Sequence, residues 1–381
     1  MQIKADWISD ARVQKVMRAL SDARHQAYFV GGCVRNALLN MPATDIDIST
    51  NALPETVLAL GEKSGFKSLP TGIDHGTVTW VVDDHPFEIT TYRRDVETSG
   101  RRAVVAFSGT IKDDAMRRDF TMNALYADAS GIVVDPLGGL DDLLQRRLRF
   151  IGDPADRIKE DYLRILRFFR FFAYYANQED GFDADGLAAC AQHAEGLDIL
   201  SKERVTQEMV KLLSADAPLQ ALAAMAQTGV LARVLPGADV ALLGPYLENE
   251  MSRDWLGRLF VMAGATAQDH LRLSKNEVRQ LSKLAHAQDD LTSLHEIAYR
   301  QGAANAKIIG AFRESVAPTG HWNADRSAML DSAAQQVFPL KSQDFNGLEG
   351  KVLGDALRKA EDDWIASKFT LTKNALLAGY K

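Results

Sequence analysis

Two aspartates one residue apart, in Asp45-Ile46-Asp47, stand ten residues beyond the arginine of Gly31-Gly32-Cys33-Val34-Arg35. In an extended run, alternate side chains share one side, so both carboxylates face the same way. Neighbouring carboxylates repel unless a cation lies between them, and a hard, oxygen-seeking ion such as Mg²⁺ meets that need. Glu88, in Phe87-Glu88-Ile89, is a third carboxylate suited to a two-metal phosphoryl transfer. Gly31 and Gly32 let backbone N–H groups approach phosphate oxygens at a helix start, and Arg35 adds a charge-assisted clamp. Taken alone, the aspartates equally suit a solvated edge strand, and the glycines a plain strand-to-helix turn. Together they point to nucleotide chemistry at a divalent metal.

Two further clusters extend the pattern. Arg117-Arg118-Asp119-Phe120-Thr121-Met122-Asn123-Ala124-Leu125 falls within a predicted helix over Asp113 to Leu125. Arg118, Asp119 and Asn123 would face a nucleotide while Phe120, Met122 and Leu125 pack. In isolation the same run reads equally as a solvated, charged helix start. The third cluster runs from Glu160 to Phe171 and carries Arg164, Arg167 and Arg170 in an apolar helix. Arginine is rarely buried without a partner. The i, i+3 spacing places Asp161 and Arg164 on one face. Each further step of three turns the helix back by about 60°, which leaves Arg167 intermediate and Arg170 on the far side, in an ion pair or facing RNA. An aspartate accepts from the amino group of cytosine or adenine, and an arginine donates to the adjacent ring nitrogen. Guanine and uracil present the reverse pattern and leave both side chains unpaired, at about 1–3 kcal/mol for each buried group. Such a pair selects C and A without a nucleic acid template.

These residues need a scaffold, and the pattern of apolar residues supplies one. A helix is predicted over Asp10 to Leu20, strands over Tyr28 to Val30 and Thr44 to Ile48, and a helix over Pro54 to Gly61. Thr77 to Val82 and Phe87 to Tyr92 read as a hairpin around Asp83-Asp84-His85-Pro86. The charged segment Arg93 to Arg102 reads as a mobile loop. From Asp156 to Lys381 the patterns are helical only. The fold class is therefore α+β: a small mixed or antiparallel sheet with flanking helices, followed by an all-helical part.

Bulk properties narrow the class. The 381 residues are 46% hydrophobic, enough for two or more cored domains. A net charge of −7 argues against indiscriminate coating of nucleic acid and leaves room for a local basic groove. Two cysteines, Cys33 and Cys190, are too few for a disulfide framework or a thiolate zinc site and fit a cytoplasmic location. Met1 to Asp10 lacks the apolar core of a secretory signal, and no run of about 18 apolar residues predicts a membrane span. No protein partner is implied.

The ordered motifs Gly-Gly-x-Val-Arg, Asp45-x-Asp47, Arg-Arg-Asp-Phe-Thr-x-Asn-Ala and Glu-Asp-x-Leu-Arg resemble the class II tRNA nucleotidyltransferase and bacterial poly(A) polymerase superfamily. His75-Gly76-Thr77-Val78, Asp135-Pro136-Leu137-Gly138-Gly139 and Glu203-Arg204-Val205 agree with it. The resemblance is dense from Tyr28 to Leu213 and looser over Leu340 to Trp364. It implies a nucleotidyltransferase head over 1–150, a helical nucleotide- and RNA-binding neck over 151–213, and a helical, tRNA-binding body and tail over 214–381. It makes Asp45 and Asp47 the Mg²⁺ ligands. Gly32, Arg35, Arg118, Asp161, Arg164, Arg167 and Arg170 become nucleotide contacts, with Gly31, Asp119 and Asn123 in the same matched runs. The implied reaction is addition of CCA to the 3′ end of tRNA from CTP and ATP, with attack of the tRNA 3′-hydroxyl on the α-phosphate and release of pyrophosphate. Asn36 departs from the aspartate usual after the arginine. The segment Arg94 to Arg102 is of full length, which favours use of ATP as well as CTP, and no His-Asp phosphohydrolase motif follows.

Two rivals remain. A poly(A) polymerase would use ATP alone and tends to carry a longer chain with a basic tail, whereas Glu361 to Lys381 is short and mixed in charge. A silent RNA-binding scaffold would betray itself by a missing carboxylate, and Asp45, Asp47 and Glu88 are all present. In the helical half, Lys202, Arg204 and Lys211 are candidates for a tRNA-facing surface.

Overall fold

The computed structural model describes residues 1–43, 45–99, 102–289, 292–320, 322–345 and 347–378. The chain divides into two compact units, Met1–Leu200 with Gln227–Arg233, and Ser201–Ala226 with Val234–Lys381.

The first unit carries the strands β1 (Ala27–Val30), β2 (Asp47–Thr50), β3 (Lys67–Gly72), β4 (Thr77–Val82), β5 (His85–Thr91), β6 (Arg93–Ser99), β7 (Arg102–Phe107), β8 (Tyr126–Ala127) and β9 (Val133–Val134). Seven of them form one sheet in the order β3-β4-β5-β2-β1-β8-β9. All neighbours are antiparallel except β2 and β5, so the sheet is mixed. Among its helices are α1 (Asp6–Ser9), α2 (Ala11–Asp22), α3 (Gly32–Leu38), α4 (Pro54–Lys63), α5 (Ile111–Met116), α6 (Leu140–Leu144), α7 (Pro154–Glu160), α8 (Leu163–Tyr175) and α9 (Ala184–Gln192). The expected helix at Asp10 is α2: Asp10 caps it by accepting from the Arg12 N–H, and Val13, Val16, Met17 and Leu20 are buried. The expected hairpin is β4–β5. Asp83 and Asp84 both adopt positive φ, +50° and +61°, the backbone of a two-residue turn whose twist matches the strands.

Three local expectations change. The helix from Asp113 stops at Met116, and Arg117 caps its end. Beyond it, Asp119 Oδ1 accepts from the Phe120 N–H and from Asn123 Nδ2. Phe120 bridges Phe150, and Thr121 N–H donates to the Arg149 carbonyl. Local side-chain capture and pairing with a distant segment thus replace the helical ladder. Arg93 to Arg102, read as a loop, forms most of the hairpin β6–β7, with Arg93 opposite Phe107. The β-prone run Ala103-Val104-Val105-Ala106-Phe107 supplies the partner strand, while Gly100 and Arg101, at the centre of the expected loop, lie outside the described residues. The strand expected from Thr44 begins at Asp47, and Thr44 is likewise outside them.

Every regular element of the second unit among its described residues is a helix, as expected, beginning with α10 (Lys202–Leu213). Toward its end Leu340, Phe345, Ala360, Trp364 and Leu376 form one apolar cluster. Among the described residues no helix is long and apolar enough to cross a membrane.

Candidate active site

Asp47 opens β2 directly opposite Glu88 in the parallel pairing with β5. Register partners in a parallel pair present their side chains on the same face, so the two carboxylates are neighbours across strands. Asp45 lies two residues before Asp47. Asp45, Asp47 and Glu88, with Ile46, His85, Pro86 and Phe87, line an open cleft of about 550 Å³. Burial raises the Asp47 carboxyl above its ordinary value, the Glu88 and Asp45 charges push it further, and Arg118 opposes them. Mutual repulsion of this kind is what a divalent cation relieves. The donor set, oxygen only and acidic, fits a hard divalent ion. Among the described residues no group of three or more His, Cys, Asp or Glu side chains is already gathered into a cage.

Gly31 caps α3 with φ +71°, a conformation that disfavours any Cβ. A Cβ there would stand 3.2 Å from Arg118 Nη1, so the absence of a side chain brings backbone and guanidinium together. Gly32 is the first residue of α3. Arg35, one turn on, is 6% exposed. Its guanidinium lies over the Tyr175 ring, 4.0 Å from the centroid, and 5.1 Å from that of Phe171. It donates to Asn123 Oδ1, to Tyr175 Oη at 2.8 Å and twice to Asn36 Oδ1, and makes no ion pair among the described residues. Burial lowers its pKa, as it must for a cation held by neutral groups. Asn36, which departs from the family pattern, orients Arg35 and donates to the Pro42 carbonyl at 2.8 Å.

Arg118 is fixed differently. Its Nη2 pairs with Asp114 at 3.0 Å, and its Nε donates to Tyr126 Oη. Asp114 is fully buried and also accepts from Arg117, Tyr126 and Ser49 of β2. Burial alone would raise its carboxyl; Arg118 and Arg117 outweigh that and hold it well below the usual range. Asp119, 7% exposed, accepts from Arg167 Nε at 2.7 Å and is joined to Asn123 at 2.9 Å. Burial opposes its ionisation, and the Arg167 charge with these hydrogen bonds still brings it down to about 2.

The third cluster is not one helix. Asp161 is extended, with φ −153°, between α7 and α8, and its carboxylate accepts from the Leu163 N–H at 3.1 Å. An aspartate that captures an N–H two residues ahead interrupts a helix and starts the next. The break removes the shared helical face expected for Asp161 and Arg164. The Arg164 N–H donates to the Asp161 carbonyl at 2.9 Å. The Arg164 guanidinium reaches Glu160 Oε2 at 2.6 Å and the carbonyls of Arg157 and Arg117 at 2.8 and 2.9 Å. Arg167 and Arg170 both lie beside Phe171, at 5.1 and 4.6 Å from its centroid. The same helix carries an aromatic cluster: Phe168 stacks on Phe150 at 5.2 Å, and Phe120 joins them and meets Phe171 at 5.1 Å. Arg35, Asn123, Asp119 and Arg167 thus form one connected chain, as do Arg118 and Asp114. Asp114, Tyr126 and Tyr175 were missed from sequence. Only Asp114 had a local signal, lying three and four residues before two arginines. On α10, Lys202 Nζ donates to the Asp269 carbonyl at 2.6 Å.

Comparison with known proteins gives a consistent picture. The family model for the Poly A polymerase head domain matches residues 27–149, and that for a probable RNA and SrmB- binding site of polymerase A matches residues 182–242. The chain is 31% identical to a CCA-adding enzyme of Bacillus licheniformis, over 96% of this chain and 93% of that one. It is 39% identical to one from Geobacillus stearothermophilus, over 96% and 92%. The crystal structure of a Bacillus stearothermophilus CCA-adding enzyme in complex with CTP superposes with a TM-score of 0.73 at 27% identity, covering 94% of this chain and 93% of that one.

Proposed function

The chain belongs to the CCA-adding tRNA nucleotidyltransferase family, and from that premise we infer that it adds C, C and A to the 3′ end of tRNA from CTP and ATP without a nucleic acid template. Pyrophosphate is the leaving group of each step. Addition of A alone is not favoured, since the relatives are CCA-adding enzymes and one was solved with CTP.

The observation that carries the reading is the register of β2 and β5, which sets Asp47 beside Glu88 with Asp45 two residues upstream. These carboxylates would hold divalent metal, with Mg²⁺ the ion we propose. When bound, such an ion supplies Lewis-acid polarisation of the α-phosphate and an acidified 3′-hydroxyl. The chain's own residues bind and orient. Arg35, buried among neutral partners, brings a full positive charge that a triphosphate can neutralise. Arg118, held against Gly31 by Asp114, presents a second. Arg164 is immobilised by Glu160 and two carbonyls, which suits a donor that must discriminate base edges, and we keep Asp161 as its accepting counterpart across the helix break. We also propose that residues 1–150 act as head, 151–213 as neck and 214–381 as tRNA-binding body and tail, and that the enzyme works in the cytoplasm.

The test is extension of a tRNA lacking its CCA end with each nucleotide alone and combined, for the parent and Asp47→Asn. The parent should add C, C and A and stop. The variant should lose at least 10³-fold in incorporation, the scale of one essential transition-state electrostatic group, while binding tRNA unchanged. Long A runs without use of CTP, or an active variant, would overturn the reading.

A further inference from the structure

Far along the chain from the carboxylate cleft, the second unit holds a cavity of about 430 Å³ that the proposed reaction does not use. Its wall is built by the start of helix Leu294–Gln301, by helix Ala303–Val316 and by the start of helix Ala324–Ala334. The turn after helix Gly350–Ala366 completes it. Three cations line it, Arg313, Arg326 and Lys368. None of the three forms an ion pair among the described residues, in a unit where Arg258, Arg300 and Lys307 all do. Arg313 is oriented by donating to the carbonyls of Ala287 and Thr292, both at 2.8 Å. The one acid among the described residues of the wall, Glu314, accepts from the Thr319 N–H and hydroxyl and from the Gly320 N–H. The wall therefore carries more positive than negative charge.

Like charges gathered without counter-ions repel, and a bound anion is the arrangement that removes the repulsion. Among the described residues of the wall the remaining titratable group, His295, responds to that field. Burial, Lys368 and Arg326 lower its pKa, with Arg313 and Glu314 the other charged groups lining the cavity. Two guanidiniums and an ammonium match the non-bridging oxygens of a tetrahedral phosphate better than a single carboxylate, with Arg313, whose Nη1 and Nη2 already donate to carbonyls, contributing its charge and its remaining N–H groups. Leu294, Gly310 and Trp322 give the space one apolar side.

We propose that this cavity is a phosphate-binding site, taking one phosphate group on Arg313, Arg326 and Lys368. The group belongs either to an RNA backbone or to a free phosphate or pyrophosphate. The free-anion arm is independent of the CCA-adding reading, because it is read without tRNA or turnover; the RNA arm rests on the tRNA-binding role proposed for 214–381.

The experiment uses the full chain, parent and the double variant Arg326→Ala/Lys368→Ala, both exposed positions whose truncation leaves the helices capped. Inorganic phosphate and pyrophosphate are titrated separately while the His295 ring is followed by NMR, assigned from the His295→Gln spectrum. Binding of a tRNA lacking CCA is then measured across a salt series. Saturable phosphate or pyrophosphate binding that moves the His295 pKa upward, and weakens at least tenfold in the double variant, establishes the site with a free anion as its source. No response to either anion, but a tenfold loss of tRNA affinity with a salt slope about one unit smaller, establishes it with RNA as the source. If the variant changes neither anion binding nor tRNA affinity, the proposal is wrong.

Discussion

Asp119→Asn is the most informative single change in the head. The substitution keeps size and most hydrogen-bonding capacity and removes only the charge that faces Arg167. The Asp119 carboxyl lies at about 2 against an ordinary 3.8, and a difference of that size corresponds to about 2 kcal/mol. A second route gives a similar figure. Breaking a fully buried ion pair costs about 3–5 kcal/mol, and the Arg167 side chain is 31% exposed, so solvent returns part of that. The sign follows from the direction of the shift. A depressed carboxyl contributes stability that is complete above its unfolded value, near 3.8, and is lost as pH falls toward about 2. The parent should therefore shed about 2 kcal/mol between roughly pH 5 and pH 2 through this group, and the variant should lack that segment. Because the chain has two units, a global melt blends two transitions. Hydrogen exchange of the peptide 119–127 reads the right one. Protection in the variant at pH 7 should fall by about 2 kcal/mol equivalent. Protection within about 0.5 kcal/mol of the parent, the range of a neutral surface change, would refute the argument, as would identical acid profiles.

Two other expectations follow from the same geometry. Gly31→Ala places a Cβ at φ +71° and 3.2 Å from Arg118 Nη1. It should cost about 1–3 kcal/mol of backbone strain and raise KM for CTP and ATP together, which melting and steady-state kinetics would show; an unchanged KM would separate Gly31 from Arg118. In metal-free protein the Asp47 carboxyl should titrate above 3.8, and saturating Mg²⁺ should move it down. Carbon-detected NMR follows that directly, and no movement would remove Asp47 from the ligand set.

How much of this was legible in the chain differs by residue. Gly31-Gly32 and the Asp83-Asp84 turn act through local backbone geometry, so their types and spacing carry the information, whereas Asp45 precedes β2, which opens at Asp47. The helix expected over Asp113 to Leu125 failed because Phe120 pairs with Phe150, thirty residues on, and no local pattern announces a distant bridge. The Asp161 break failed for the opposite reason: a side chain competing with its own backbone at 3.1 Å outvoted a helical apolar pattern. The β6–β7 hairpin was hidden by its charged first strand. Tyr175 on Arg35 and Tyr126 on Asp114 are tertiary meetings across long separations, 140 and 12 residues. Such meetings become visible only when α8 and the sheet are in place.

The strand order has a consequence for how this protein is made. β1 lies between β2 and β8, with Phe29 opposite Ala127, and the first residues are clasped by the same late segment, where Ile3 N–H donates to the Gly131 carbonyl and Val133 N–H to that of Met1. During synthesis, β1 can pair with β2 within about twenty residues, yet its other edge stays open until Tyr126–Ala127 has left the ribosome. For some hundred residues of elongation the nascent head therefore exposes an apolar strand edge, the situation in which chains misassemble or recruit chaperones. Pauses in translation between β2 and β8 should then lower the yield of folded enzyme more than pauses placed in the helical half, whose described residues include no strand edge to leave open.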